Sequence, residues 1–435
     1  MEDLLQYVWK HKLYPLTSLT TIDGKPLEVI DPGLQNKDAG PDFFNAKVVI
    51  DGTMWVGNVE LHLKASDWFL HHHDEDERYD SIILHVVQES DATIHRRSGQ
   101  PIPQFVLPIP SLLRERYDEL LSTDHYPPCY QTAGSLGNLM MHSWMSALLI
   151  ERLEMRCQQI EQRFEQHEMN WNDALFATLA RNFGFGVNGD AFEAWARVMP
   201  FRAVDKHRDN LLQVEALFFG HAGLLNPQAL PAHTRDEALH DPYFVQLSKE
   251  YAFLAHKFEL KPISTSLWKF ARMRPDNSPF VRMAQLAMLY HKGLFSASSI
   301  VEAKSRDDLQ RLLCAGTSPY WDTHFTFGGT PTPARSKIVG DASLNLVIIN
   351  TLAPFLFVYG RRHDNESCCE RALNLLEQLP AENNFIIRGW CECGINVTSA
   401  ADSQALIQLK RNYCERKDCL RCRIGYECMK RTVNP

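Results

Sequence analysis

The sequence lacks an uninterrupted apolar run of membrane-spanning length. Its longest, Leu344 to Tyr359, is broken by Asn345, Asn350 and Pro354, whereas a bilayer helix needs about 20 apolar residues. A buried helix is expected there, and no membrane association. The opening residues Met1-Glu2-Asp3-Leu4-Leu5 begin with acids and lack the basic-then-apolar order of a secretory signal, so a bacterial-type cytoplasm is the expected compartment. No G-x-x-x-x-G-K-[ST] loop is present, which removes phosphate-loop nucleotide hydrolysis, and no G-x-S-x-G elbow, which removes that class of serine hydrolase. The glycines of Arg181-Asn182-Phe183-Gly184-Phe185-Gly186 follow no strand-like run, so a dinucleotide fold is not supported. Repeats and low-complexity tracts are missing too. Positive charge is in short supply: the formal net charge is −8, so any polyanion partner has to meet a local basic surface.

What is present is a globular composition. The chain has 435 residues, 45% of them hydrophobic, enough for two or three domains. Strand-like runs at 27–31, 44–51, 54–64, 81–87 and 104–109 are punctuated by Asp31-Pro32-Gly33 and Asp51-Gly52. They predict a small mixed sheet in an N-terminal domain over 1–110. Residues 67–80 read as a helix or a long loop between two strands. Beyond Ser111 the spacing turns helical, with helices expected at about 144–164, 172–182, 189–199, 206–219, 240–257, 280–291, 305–314 and 340–359. That makes 111–385 an all-α domain. The last segment, 386–435, holds six of the eleven cysteines and reads as a Cys-rich unit. The fold class is therefore α+β.

Two motifs carry chemistry. The first is Gly40-Pro41-Asp42 followed by Glu60-Leu61-His62-Leu63-Lys64. Alternation along a strand puts Glu60, His62 and Lys64 on one face, and Asp42 at the start of the neighbouring strand can share a divalent cation such as Mg2+ or Mn2+ with Glu60. Such a metal lowers the pKa of bound water, and a basic group beside it steadies charge at a phosphate. The blander reading makes Glu60 and Lys64 the solvated face of an amphipathic strand over Val59, Leu61 and Leu63. His71, His73 and Asp74 in the following loop are possible further ligands. His85, within Ile82 to Val87, reads as a hydrogen-bonded histidine on a buried strand.

These residues resemble the PD-(D/E)XK nuclease superfamily, in which a Pro-Asp pair precedes one strand and an acid-x-Lys motif lies on the next. The resemblance implies a restriction-endonuclease-like fold over 27–107, with Asp42 and Glu60 as metal ligands. It departs at the basic position, where His62 stands two residues after Glu60 and the lysine arrives only at Lys64. Either takes the basic role.

The second motif is Cys414-x4-Cys419-x2-Cys422-x5-Cys428, four thiols within fifteen residues. Thiolates spaced this way serve zinc or an iron–sulfur cluster more often than packing. The C-x2-C-x5-C part resembles the cysteine loop of endonuclease III-type glycosylases and the terminal motif of iron–sulfur nucleases, which implies a structural [4Fe-4S] cluster; Zn2+ remains the alternative. Cys391 or Cys393 can replace one member, and Cys428 can be a plain buried thiol. Around these thiols, Lys410 to Arg431 carries eight Lys or Arg against three Asp or Glu, a local attraction for nucleic acid or a neutralising surround. A second basic segment, Lys269 to Pro275 with Arg282, offers Arg272 and Arg274 as phosphate clamps or as salt-bridge partners.

Taken over nearly its full length, the chain is similar to an uncharacterised bacterial family of unknown function. The segments that carry the similarity are Ala39-Gly40-Pro41-Asp42-Phe43, Gly57 to His62, Leu84-His85-Val86-Val87 and Tyr413 to Gly425. The expected function is a metal-dependent nuclease with a structural metal centre at its C-terminus. The rival expectation is a non-catalytic nucleic-acid or protein interaction module on a decayed nuclease fold.

Overall fold

The computed structural model describes residues 1–271 and 273–430. It divides into two compact units. One comprises Met1–Met145, Asn384–Asn396 and Leu406–Pro435, and the other Ser146–Asn383 with Val397–Ala405. The cysteine-bearing segments thus fold with the sheet and not as a separate 386–435 unit. The physical reason is apolar: Met429 is fully buried in the same core as Leu4, Val8, Val48 and Leu61, and that burial ties the C-terminal helix to the sheet.

The architecture is α+β, as expected. The sheet has seven strands: β1 Leu19–Thr20, β2 Pro26–Asp31, β3 Leu34–Gln35, β4 Phe43–Ile50, β5 Thr53–Lys64, β6 Ile82–Glu89 and β7 Gln104–Val106. Their order is β1-β2-β4-β5-β6-β7, with β3 paired to β4. Pairings from β1 to β5 are antiparallel, whereas β5–β6 and β6–β7 are parallel. β1 and β3 are two-residue strands too short for a sequence period. The stretch 67–80 holds one short helix, α2 Asp67–Leu70, then turns and a 3-10 turn at Glu77–Tyr79.

The β4–β5 hairpin turns on Asp51-Gly52, with Ile50 opposite Thr53 and both turn residues at positive φ (50° and 76°). Asp-Gly is the pair such a two-residue turn requires. It fixes the register from Ile50 opposite Thr53 to Ala46 opposite Gly57. Between Phe43 and Ala46 the register slips by one residue, and Asn45 takes φ 56°. This bulge follows Asp42 directly and re-aims the chain at that residue. Helix α1, Glu2–Lys10, buries Leu4, Leu5, Val8 and Trp9 against one sheet face. Its Gln6 remains free to reach the polar site.

The second unit is helical, with Trp171–Phe183, Gly189–Val198, Leu211–His221, Pro242–Phe258, Pro279–Lys292 and Arg306–Leu313 close to the expected spans, and with Glu366–Gln378 beyond them. The helix expected at 206–219 starts at Leu211, because the Asn210 side chain caps it by accepting from the Gln213 N–H. Among the described residues, Asp341–Arg362 is the one helical stretch long and apolar enough to cross a membrane, with a mean hydropathy of 1.7, and 67% of its apolar window is buried inside the protein. A π-helical segment at Ile348–Leu352 precedes Pro354. Proline has no N–H to return to the Asn350 carbonyl. The Asn182 amide donates to that oxygen at 3.0 Å instead.

Candidate metal site and thiol pocket

Antiparallel register sets Asp42 opposite Glu60 across β4 and β5. The two carboxylates hold each other's backbone: the Asp42 N–H donates to Glu60 Oε2 at 3.0 Å, and the Leu61 N–H donates to Asp42 Oδ2 at 3.0 Å. Gln6 of α1 donates to Asp42 Oδ1 at 2.9 Å. The remaining Glu60 oxygen, Oε1, faces imidazoles, with His73 Nε2 at 3.3 Å and His62 Nε2 at 3.7 Å. His62 Nε2 in turn lies 3.1 Å from His71 Nδ1. One ring nitrogen from each of His62, His71 and His73 falls within 4.8 Å of the others.

Glu60 is 5% exposed and His62 1%, so the solvated-face reading fails at these positions. The parallel pairing with β6 buries this end of β5, and Trp68 and Tyr79 lie beside it as members of a small apolar cluster. Tyr79 stacks on His73 with ring centroids 3.8 Å apart. His71 is the exposed member and opens the site to solvent.

Burial has electrostatic consequences. Desolvation, with mutual repulsion at Asp42, pushes both carboxyls well above the usual carboxylate range. Desolvation and the neighbouring imidazoles pull His62 down to about 2 and His85 down to about 3. His62 and His85 are therefore neutral, which leaves a ring lone pair on His62 for a cation. A bound cation would also supply the positive charge that the two acids lack.

His85, fully buried on β6, places Nε2 at 2.8 Å from His62 Nδ1. The Gln104 amide, which donates to the Ala92 carbonyl at 3.1 Å, also lies 3.5 Å from His85 Nδ1. His85 fixes the orientation of the His62 ring, and for Nε2 of His62 to bind a cation the ring hydrogen must sit on Nδ1, donating to His85.

Lys64 does not join the group. Its side chain is 54% exposed, and its ammonium pairs with Glu89 at 3.6 Å. Four residues of strand carry it roughly 13 Å along the sheet from Glu60, so sharing a face did not mean sharing a site. Asp74 and His72 lie outside the cluster as well, His72 because its φ of 58° turns it away between the two histidines that converge. Gln6, one turn from Glu2 on α1, was not visible as a site residue, since α1 reads simply as an amphipathic helix. In the helical unit Arg282 is an internal side chain, lying 4.3 Å over the Phe185 ring and donating to Gln285. Arg274 is exposed, and Arg272 lies outside the described residues.

The C-terminal thiols meet around a small apolar cavity lined by Pro128, Cys129, Trp390, Cys414, Cys419 and Cys422. Cys428 lies against Cys129 and Cys419. Cys391 and Cys393 do not line the cavity. Cys129, which sequence spacing could not connect with residues 414–428, is the member that was missed. Gly425 permits the turn, because a Cβ there would sit 2.2 Å from the Cys419 carbonyl oxygen.

Between α1 and the C-terminal segment runs a cleft of about 1190 Å³. Its walls carry Lys10, Lys37, Arg416, Lys417, Arg421 and Arg423 against three acids. Gln6 lines this cleft and touches Asp42.

No curated protein and no solved structure matches the chain. A family model described as protein of unknown function (DUF2851) matches residues 2–385. That span includes the strands and turn carrying Asp42, Glu60, His62, His71 and His73, and it also includes Cys129. With most of its length so matched, the chain belongs to the DUF2851 family.

Proposed function

We propose that the sheet unit is a divalent-metal hydrolase acting on nucleic-acid phosphodiesters. The observation that carries this reading is the convergence of one ring nitrogen from each of His62, His71 and His73 within 4.8 Å of the others, with Glu60 Oε1 beside them at 3.3 Å from His73 and 3.7 Å from His62. An ion about 2.0–2.1 Å from tetrahedral nitrogen or oxygen ligands sets ligand-to-ligand edges of about 3.4 Å. The nitrogen-rich set favours Mn2+ or Zn2+ over Mg2+. When bound, the metal lowers the pKa of a coordinated water. Glu60 and the imidazoles hold the site, Asp42 stands beside it as a proton acceptor, and the basic cleft reached past Gln6 receives the polyanion. The hairpin that sets Pro41-Asp42 ahead of one strand and Glu60 on the next supports a restriction-endonuclease-like sheet, with His62 in place of the motif lysine.

One observation favours the rival reading of a non-catalytic interaction module: Lys64, the lysine nearest the motif, is engaged with Glu89. The two separate in one assay. Labelled single- and double-stranded DNA and RNA are incubated with the full chain and Mn2+, Zn2+ or Mg2+, with chelator as control. Cleavage that is lost in Glu60→Gln and His73→Ala and kept in Lys64→Ala is expected. Cleavage surviving Glu60→Gln would overturn the assignment, and binding without cleavage in every metal would establish the interaction module.

A further inference from the structure

We infer that the five thiols Cys129, Cys414, Cys419, Cys422 and Cys428 form one pocket for a four-thiolate iron–sulfur cluster, in which Cys129 is a ligand. Cys129 stands 285 residues before Cys414 in the chain, yet it lines the same apolar cavity as Cys414, Cys419 and Cys422 and lies beside Cys428. Cys422 is the hub, with Cys129, Cys414, Cys419 and Cys428 all close enough to interact with it. It precedes the helix Arg423–Lys430 directly in the chain.

Spacing decides between a single ion and a cluster. Zinc at about 2.3 Å from each sulfur needs all sulfurs within about 3.8 Å of one another. Among the described residues, the group whose ligand atoms converge within 4.8 Å is the histidine set, and no three of these sulfurs do so. The thiols stand instead around a cavity with apolar walls from Leu120, Pro128, Trp390 and Leu409. Four cysteines spaced around a larger core is the requirement of an iron–sulfur cluster, whose dry surround tunes it and shields it from water. Cluster binding is coupled to the order of this part of the fold.

The test uses the full chain purified without oxygen, before and after reconstitution with ferrous iron and sulfide. Iron, acid-labile sulfide and zinc are counted per chain and the visible spectrum is recorded. About four iron and four sulfide with a broad visible band are expected. Cys129→Ser should lose most of the iron and the band, and Cys391→Ser should keep both. Circular dichroism of each variant separates loss of ligation from failure to fold, and Cys129→Ala repeats the measurement with a smaller change of polarity. Stoichiometric zinc without iron, a metal-free folded chain after reconstitution, or a full iron complement in folded Cys129→Ser would overturn the inference. None of these outcomes touches the histidine site, so the hydrolase reading stands or falls separately.

Discussion

His85 touches neither solvent nor any group that would touch a substrate, yet replacing it is expected to weaken metal binding at the histidine site. Its Nε2 lies 2.8 Å from His62 Nδ1 in a fully buried setting, and that contact fixes the ring orientation that presents His62 Nε2 to Glu60, His71 and a cation. In His85→Leu the His62 Nδ1–H loses its acceptor, and the ring is free to tilt or take the other tautomer. Loss of such an outer partner costs about 10- to 100-fold in metal affinity, equivalent to roughly 1.4–2.7 kcal/mol. Cobalt(II) titration is the assay of choice, because thiolate ligation adds a sulfur-to-metal charge-transfer band that a nitrogen and oxygen set lacks, so the two sites are read separately. His72→Ala, whose side chain lies outside the cluster, is the control and should bind as the wild type does. Equal cobalt affinity in folded His85→Leu and wild type would refute the argument that His85 positions His62.

The helical unit supplies two further expectations. Glu215 is 1% exposed, and its carboxyl is pushed up to about 7 by burial, against the hydrogen bonds from Tyr243 and Ser318 that favour the ionised form. A raised carboxyl stabilises the fold below the unfolded value of about 4.5 and loses that contribution as pH climbs to about 7, so melting of this unit should weaken across that window by roughly 3 kcal/mol relative to Glu215→Gln; a wild-type-minus-variant difference that does not change with pH would contradict it. Asn182→Leu removes the donor to the Asn350 carbonyl and to the Thr351 hydroxyl at 2.8 Å. Chemical denaturation should then show a loss of about 1–3 kcal/mol, and a midpoint unchanged in Asn182→Leu would mean that the π-helical segment needs no outside donor.

Much of the sheet was legible because its signals are local. Asp51-Gly52 announces a two-residue hairpin, and counting outward from it pairs β4 with β5 as far as Ala46 and Gly57; the bulge beyond, which sets Asp42 opposite Glu60, is not written in the turn. Helix spans in the second unit were legible for the same reason: apolar spacing and caps such as Asn210 lie within one turn of what they determine. Lys64 shows the limit of strand periodicity, which assigns a face and not a position along it. The histidine loop shows another limit. Three adjacent histidines cannot all face one ion, but which two do so depends on the positive φ of His72 and on the stacking of Tyr79, and neither is written in spacing.

The two sites differ in how far their parts lie apart in the chain, and this explains what could be read. Asp42, Glu60, His62, His71, His73 and His85 fall within 44 consecutive residues, so adjacent strands and one loop suffice to gather them. The thiol pocket closes only when a turn near residue 129 meets a segment that begins 285 residues later. Spacing within 414–428 reveals that cysteines are concentrated but not that a fifth comes from elsewhere, since loop closure over such a distance is specified by the packing of everything between. The burial of Met429 beside Leu4 and Leu61 performs that closure, and it places the thiol-bearing helix Arg423–Lys430 and α1 along one cleft. A centre that orders the C-terminal segment therefore also orders the basic wall facing Gln6 and Asp42. Loss of the thiol ligands should consequently weaken polyanion binding in that cleft while leaving the histidine site able to take its metal.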